Sequence, residues 1–178
     1  MNPRHLGREY LSQSSSAHIV FGPQGAGKTT YARALAENIG AVRFSIDEWM
    51  IELFGADLPR SMSLTWVLAR VERCESRIWS LASQILSLGG KVVLDLGFMR
   101  VSDRTRFIDL ARLGGISTQL HYITAPYALR RGRVLSRNAE RGETFAFEVS
   151  PAIFDFMDKK FESPTEVELA GAVISASQ

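Results

Sequence analysis

His18-Ile19-Val20-Phe21-Gly22-Pro23-Gln24-Gly25-Ala26-Gly27-Lys28-Thr29-Thr30 is the stretch that decides the fold. Ala17 to Phe21 is an apolar run that ends on a glycine, the mark of a short buried strand. Gly22 to Thr29 then matches G-x-x-x-x-G-K-[ST] at every fixed position, and a helix is expected from about Gly27 to Asn38, stopped by Gly40. Strand, glycine-rich loop and helix form the context in which this Walker A pattern carries chemistry. Glycines let backbone N–H groups converge on a phosphate without Cβ clashes, and the helix adds the positive end of its dipole. Lys28 would reach the β- and γ-phosphate oxygens of a nucleoside triphosphate, and the Thr29 hydroxyl would ligate Mg²⁺. Gly22, Pro23, Gln24, Gly25, Ala26, Gly27 and Thr30 complete the expected cradle. The competing reading is a glycine-rich turn with a chance Lys-Thr pair.

Outward from this loop, strands and helices alternate. Ala41 to Ser45 reads as a second strand, Asp47 to Phe54 as a helix, and Gly55 to Ser63, which holds Pro59, as a loop. From Leu64 to Leu88 the residues Leu64, Val67, Leu68, Val71, Ile78, Leu81, Ile85 and Leu88 fall at helical spacing and define one apolar stripe. Trp79 sits beside that stripe and Trp66 farther round; packing is the simpler reading for both. Lys91 to Asp95 is a buried strand that ends in an acid. Ser102 is expected to cap a helix to about Leu113, and Gln119 to Thr124 to form a strand. Pro126 stands where a first-turn proline belongs, opening a helix to about Asn138. Ser150-Pro151 repeats the signal for a helix to Lys160, and Ala172 to Ser175 is a last short apolar run. Strands separated by helices mean a parallel sheet covered on both faces, an α/β architecture.

The chain has 178 residues, 46% apolar and 22% charged, which suits one globular domain from about residue 17 onward. Met1 to Ser16 is polar and lacks an apolar stretch, so it reads as a flexible leading segment and not a secretion signal. No run approaches the length of a membrane span. Cys74 is alone, so no internal disulfide can form and a reducing cytoplasm is the simplest setting. A net charge of +2 gives little support to a nucleic-acid partner. Arginines crowd the stretch from Arg100 to Arg141 while lysines are scarce, and the guanidinium fork grips phosphate as a point charge cannot. A solvated basic face is the bland alternative. His5, His18 and His121 have no metal-ligand spacing and read as structural.

Leu94-Asp95 has the form of a Walker B motif, whose carboxylate orders Mg²⁺. No N/T-K-x-D guanine-reading motif is present, which favours ATP over GTP. Leu96-Gly97-Phe98 follows Asp95 where catalytic ATPases often carry a second acid, and the chain is too short for a motor with a helical lid domain. A small phosphoryl-transfer enzyme remains.

From His18 to about Ile174 the chain resembles the zeta-toxin-like and chloramphenicol-phosphotransferase-like P-loop kinases, with the bacterial polynucleotide kinases as cousins. The resemblance rests on the Walker A, on Phe44-Ser45-Ile46-Asp47, on Leu94-Asp95-Leu96-Gly97-Phe98 with Arg104 downstream, and on Arg130 to Arg141. It implies a three-layer sandwich around a five-stranded parallel sheet of order 2-3-1-4-5, with a lid near residues 130–150. It also implies that Asp47 points at an acceptor hydroxyl and receives its proton; capping of the following helix is the alternative for this residue, and Glu48 is the second-choice acid. Arg133 and Arg137 lie four apart and share a helix face. By the resemblance, Arg133 contacts nucleotide and Arg137 the transferring phosphoryl group, with Arg130 and Arg141 as possible helpers. Arg104 contacts substrate or makes a surface ion pair. Gly97 replaces the polar residue that polynucleotide kinases tend to carry, which counts against a nucleic-acid acceptor.

The resulting expectation is transfer of the γ-phosphoryl group of ATP, with Mg²⁺, to a hydroxyl of a small molecule. A polynucleotide 5′-hydroxyl kinase and an ATP-dependent switch or partner-binding module stay as alternatives. The acceptor and the oligomeric state are not legible.

Overall fold

The computed structural model describes residues 15–58, 63–140 and 149–177. The expectations for the leading segment up to residue 14, for Arg141 and for the tip of the lid (141–148) lie outside them. Five strands, β1 (Ser16–Phe21), β2 (Val42–Ser45), β3 (Lys91–Asp95), β4 (Ser117–Thr124) and β5 (Val173–Ala176), form one sheet in the order β2-β3-β1-β4-β5. Every pairing is parallel. Each parallel step needs a crossover, and helices supply them: α1 (Lys28–Ile39), α2 (Ile46–Phe54), α3 (Leu64–Ser87), α4 (Val101–Leu113), α5 (Tyr127–Glu140), α6 (Pro151–Lys160) and the short α7 (Glu166–Ala170). The fold expected from the sequence is therefore the fold observed.

Alternation along the strands sends neighbouring side chains to opposite faces. Ala17, Ile19 and Phe21 of β1 join Val92 and Leu94 of β3 in a core with Cys74, Ile78, Ala82 and Leu86 of α3 and Phe107 of α4. Val20 and Val93 turn the other way, onto Ala32 and Ala36 of α1. The two alanines let α1 lie close to the sheet, which brings its N-terminus to the strand ends.

Three details depart from the sequence reading. The buried face of α3 is Cys74, Ile78, Ala82 and Leu86, which shares only Ile78 with the expected stripe; Leu64, Leu68 and Leu88 are exposed by 68%, 56% and 78%. Helical spacing fixes a face but not how far along it a sheet runs beneath. Helix α4 begins one residue before Ser102, and Asp103, not Ser102, acts at its start, accepting from the backbone N–H of Arg100 at 3.2 Å. Helix α7 was not foreseen, although Thr165 and Glu168 form a reciprocal capping box in the pattern T-x-x-E. Among the described residues no helix is long and apolar enough to cross a membrane.

Candidate active site

Parallel register gathers the site. Ser45 pairs with Asp95, and Ile19 with Leu94, so β2, β3 and β1 end side by side and deliver Asp47, Asp95 and the phosphate loop to one edge of the sheet. The loop can pass there only because of its glycines. A Cβ on Gly22 (φ +151°) would lie 1.9 Å from the carbonyl oxygen of Ile123, and one on Gly25 (φ +78°) would lie 2.5 Å from that of Arg130.

Gly27 is the N-cap of α1 and offers no side-chain oxygen to the first N–H groups of the helix. Those donors, with the loop amides, suit an anion. Lys28 Nζ donates to the Pro23 carbonyl at 3.0 Å and so lies folded across the loop. Protein crowds the ammonium and lowers its pKa, while Asp95 and Asp47 oppose that shift. The next side chain, Thr29, stands near the Asp95 carboxylate, and its hydroxyl helps to hold that carboxyl's pKa down. Asp95 is 5% exposed, and burial raises its pKa against the pull of Lys28. Thr29 and Asp95 thus present two adjacent oxygen donors of the hard kind that Mg²⁺ takes, beside a cradle for phosphate oxygens.

Asp47 stands in the first turn of α2. The residue is exposed, yet nearby protein is close enough to its carboxylate to raise its pKa, with Lys28 and Arg137 acting in the opposite sense. The cap of α2 is Ser45, whose hydroxyl accepts from Glu48 N–H at 3.5 Å. Capping is therefore not the work of Asp47. Glu48, the second-choice acid, accepts from Arg33 at 3.1 Å and closely from Arg43, and these partners outweigh burial and lower its pKa. It is a poor proton acceptor. Arg43 escaped the sequence reading altogether; it reaches Asp95 at 3.5 Å as well and ties β2 to the Walker B acid.

On the far side of the loop, α5 carries Arg133 and Arg137 four positions apart on one face. A Cβ on Gly27 would sit 4.0 Å from Arg133 Nη1, so this guanidinium lies against the start of α1. Arg137 faces Asp47, and its Nε is buried with no hydrogen-bond partner. Both line a groove of about 550 Å³ along α5 with Ala128, Leu129, Gly132, Ser136 and Glu140.

Arg104 departs from expectation. It is 0% exposed; its Nε and Nη2 meet Glu168 at 2.5 and 3.1 Å, and Nη1 donates to the carbonyls of Phe98 and Glu162, each at 3.2 Å. Phe21 stacks on the guanidinium 4.6 Å away. Neither substrate nor solvent meets it; it is a structural hub. Phe98, held by that bond, has φ +44°, an unusual conformation for a side-chain-bearing residue. Of the three histidines, His5 lies outside the described residues; His18 and His121 bond within the protein, with His18 Nδ1 and His121 Nε2 3.0 Å apart and His121 Nδ1 2.9 Å from the Tyr31 hydroxyl.

A family model described as an AAA domain matches residues 18–164. The shikimate kinase of Psychrobacter sp. (strain PRwf-1) is 33% identical over 79 residues, 43% of this chain and 44% of that one. The shikimate kinase of Stenotrophomonas maltophilia (strain R551-3) is 28% identical over 126 residues, 69% of this chain and 67% of that one. The chain thus spans less than half the length of the first relative. Among solved structures, a candidate kinase from Chloroflexus aurantiacus superposes with a TM-score of 0.71 at 18% identity, over 92% of this chain and 88% of that one. Kti12 of Chaetomium thermophilum, solved with ADP-AlF3, gives 0.68 at 16% identity over 90% and 88%. At these identities the structural likeness speaks for the fold alone. The family model runs over most of the chain, and with the sheet order and phosphate loop in place the chain belongs to this AAA domain family, on the fold of the P-loop kinases.

Proposed function

We propose that this protein is a kinase that moves the γ-phosphoryl group of ATP to a hydroxyl of a small-molecule acceptor. The observation that carries the reading is the convergence on Asp47: an exposed carboxylate within electrostatic reach of Lys28, Arg137 and Asp95, at the strand ends that also carry the phosphate loop. A module that only binds nucleotide has no use for such a group. Relatives named shikimate kinase lend the small-molecule acceptor support.

Lys28 would leave the Pro23 carbonyl for phosphate oxygens; Thr29 and Asp95 would hold Mg²⁺, which would supply charge neutralisation at the phosphates. Asp47 orients the acceptor hydroxyl and takes its proton as the new O–P bond forms and the bond from the γ-phosphorus to the bridging oxygen breaks, leaving ADP. Desolvation by the surrounding protein favours that role, because a carboxyl raised towards neutrality accepts a proton more readily. Arg137, with Nε unpartnered in the resting site, has a donor free for the oxygens on which charge builds. The lone Cys74 is buried and free, in keeping with a cytoplasmic setting.

The test is an ATP-consumption screen over hydroxyl-bearing metabolites, antibiotics, sugar nucleotides and 5′-hydroxyl oligonucleotides, repeated with Asp47→Asn. With the acceptor found, the variant is expected to bind ATP like the parent and to transfer about 10²-fold more slowly. Full transfer in Asp47→Asn would sink the assignment of the base, and turnover of oligonucleotides alone would sink the small-molecule acceptor.

A further inference from the structure

A phosphate loop works only if its backbone N–H groups already point at one place, so something must hold the loop between turnovers. Within it the chain supplies little: Ala26 N–H donates to Pro23 O at 3.3 Å, and Lys28 Nζ donates to the same carbonyl. The lysine bond is temporary if Lys28 must leave to meet phosphate. The side-chain oxygen of Gln24 is buried without a partner, so this residue's own amide does not fix its peptide.

Arg130 holds the loop from outside. Its Nη1 donates to the Gln24 carbonyl at 3.2 Å, and its own backbone carbonyl is the surface against which Gly25 packs. The guanidinium in turn is immobile. Nε donates to Ala125 O at 2.9 Å, Nη1 meets Asp158 of α6 at 2.6 Å, and the rings of Tyr127 and Phe154 lie 5.7 and 5.8 Å from it. Its side chain is only 9% exposed. Asp158 is a built anchor, because a cation this buried needs a counter-charge to keep one orientation.

We infer that Arg130 is a positioning residue for the phosphate loop, fixed by Asp158, which links the docking of α6 to the affinity of the loop for nucleotide. It touches the loop through Gln24 and Gly25 and takes no part in the reaction. The inference rests on the nucleotide-binding reading of Gly22 to Thr29. What matters is the fork, which spans Gln24 O, Ala125 O and Asp158 together; a lysine keeps the charge and cannot reach all three.

The experiment is calorimetric titration of MgADP, with the ³¹P resonance of the bound β-phosphate, on the full chain and on Arg130→Met, Arg130→Lys, Asp158→Asn and Lys28→Ala. Arg130→Met and Arg130→Lys are both expected to weaken MgADP about tenfold or more, the scale of one charge-assisted hydrogen bond, and to shift the β-phosphate resonance. Asp158→Asn should act in the same direction, about threefold or more. A merely structural arginine would lower the melting temperature and leave affinity per folded molecule unchanged, and that result would overturn the inference. So would full recovery in Arg130→Lys, which would make Arg130 a simple charge. If Arg130→Met does not fold, Asp158→Asn decides, since its carboxylate is partly exposed, and unchanged affinity there is fatal. Unchanged affinity in Lys28→Ala would bring down the phosphate-loop reading itself, and this inference with it.

Discussion

Arg104 and Arg137 carry the same guanidinium, and their surroundings give it opposite work. Arg104 is sealed from solvent, with every nitrogen bonded within the protein. Arg104→Met leaves Glu168 buried without its partner, so the expected cost is about 3–5 kcal/mol. In a chain of this size that is roughly a 10 °C fall in melting temperature. Arg104→Met with Glu168→Leu should recover part of the loss, because an apolar pair of similar volume removes the orphaned charge. If calorimetric melting shows Arg104→Met as stable as the parent, the hub is an illusion. Arg137, by contrast, has a buried Nε with no partner at rest, and burial depresses its pKa while Asp47 supports the charged form. Arg137→Ala should lower kcat by about 10³-fold and ATP affinity far less, because the missing bond strengthens only as charge develops. Arg137→Lys should restore little. Steady-state kinetics with kcat preserved in Arg137→Ala would return this side chain to the solvated surface.

The helix that carries the phosphate loop is tied to the sheet by a polar latch. Ser16, His18, His121 and Tyr31 form a chain of contacts at 3.0, 3.0 and 2.9 Å between β1, β4 and α1. Burial, and then His18, push the pKa of His121 down to about 4, and burial with Lys91 lowers that of His18. The unfolded chain takes up the His121 proton near pH 6.5 and the folded chain only near 4, so this contribution to stability is complete above 6.5 and is lost progressively as pH falls towards 4, and the lowered pKa of His18 acts in the same direction. His121→Gln removes hydrogen bonds worth about 1 kcal/mol at pH 7.5 but should flatten that acid limb. Denaturant midpoints at pH 7.5, 5.5 and 4.5 read the difference; parallel limbs in parent and variant would refute the latch. The elements themselves were largely legible. Gly40 stops α1 in the left-handed conformation, Ser150-Pro151 opens α6, and the strand of the Walker B acid runs from Lys91 to Asp95 as read. These are local signals, written within a few residues of their effect. The exposed first turns of α3 were not legible, because burial there depends on where the sheet ends.

At the scale of the whole molecule the illegible features share one cause, which is sequence distance. Arg104 meets Glu168 64 positions away, Arg43 meets Asp95 52 away, and His18 meets His121 103 away. No periodicity announces such partners, so Arg104 reads as a substrate contact or a surface ion pair and Arg43 goes unread. The strand order came from a family resemblance for the same reason. Yet the parallel sheet brings three separately encoded pieces, the loop at Gly22 to Thr29, Asp47 and α5, near enough for Lys28, Asp47 and Arg137 to act on one another. Nucleotide should therefore behave as a ligand of the folded state alone. At 100 times its dissociation constant, MgADP should add about 2.7 kcal/mol, roughly 5–10 °C in melting temperature for a chain of this length. Chelating the metal with EDTA should remove part of that rise in the parent. In Thr29→Ala and Asp95→Asn the rise should be small with or without chelator, since the metal's protein ligands are gone. Lys28→Ala should abolish most of it while melting normally without ligand, because its ammonium faces the loop and two carboxylates and not the apolar core. Scanning calorimetry on the four proteins separates the cases. A parent that melts at one temperature with and without MgADP has no nucleotide site, whatever its sequence spells; a rise in the parent that EDTA leaves intact would remove Thr29 and Asp95 from the metal.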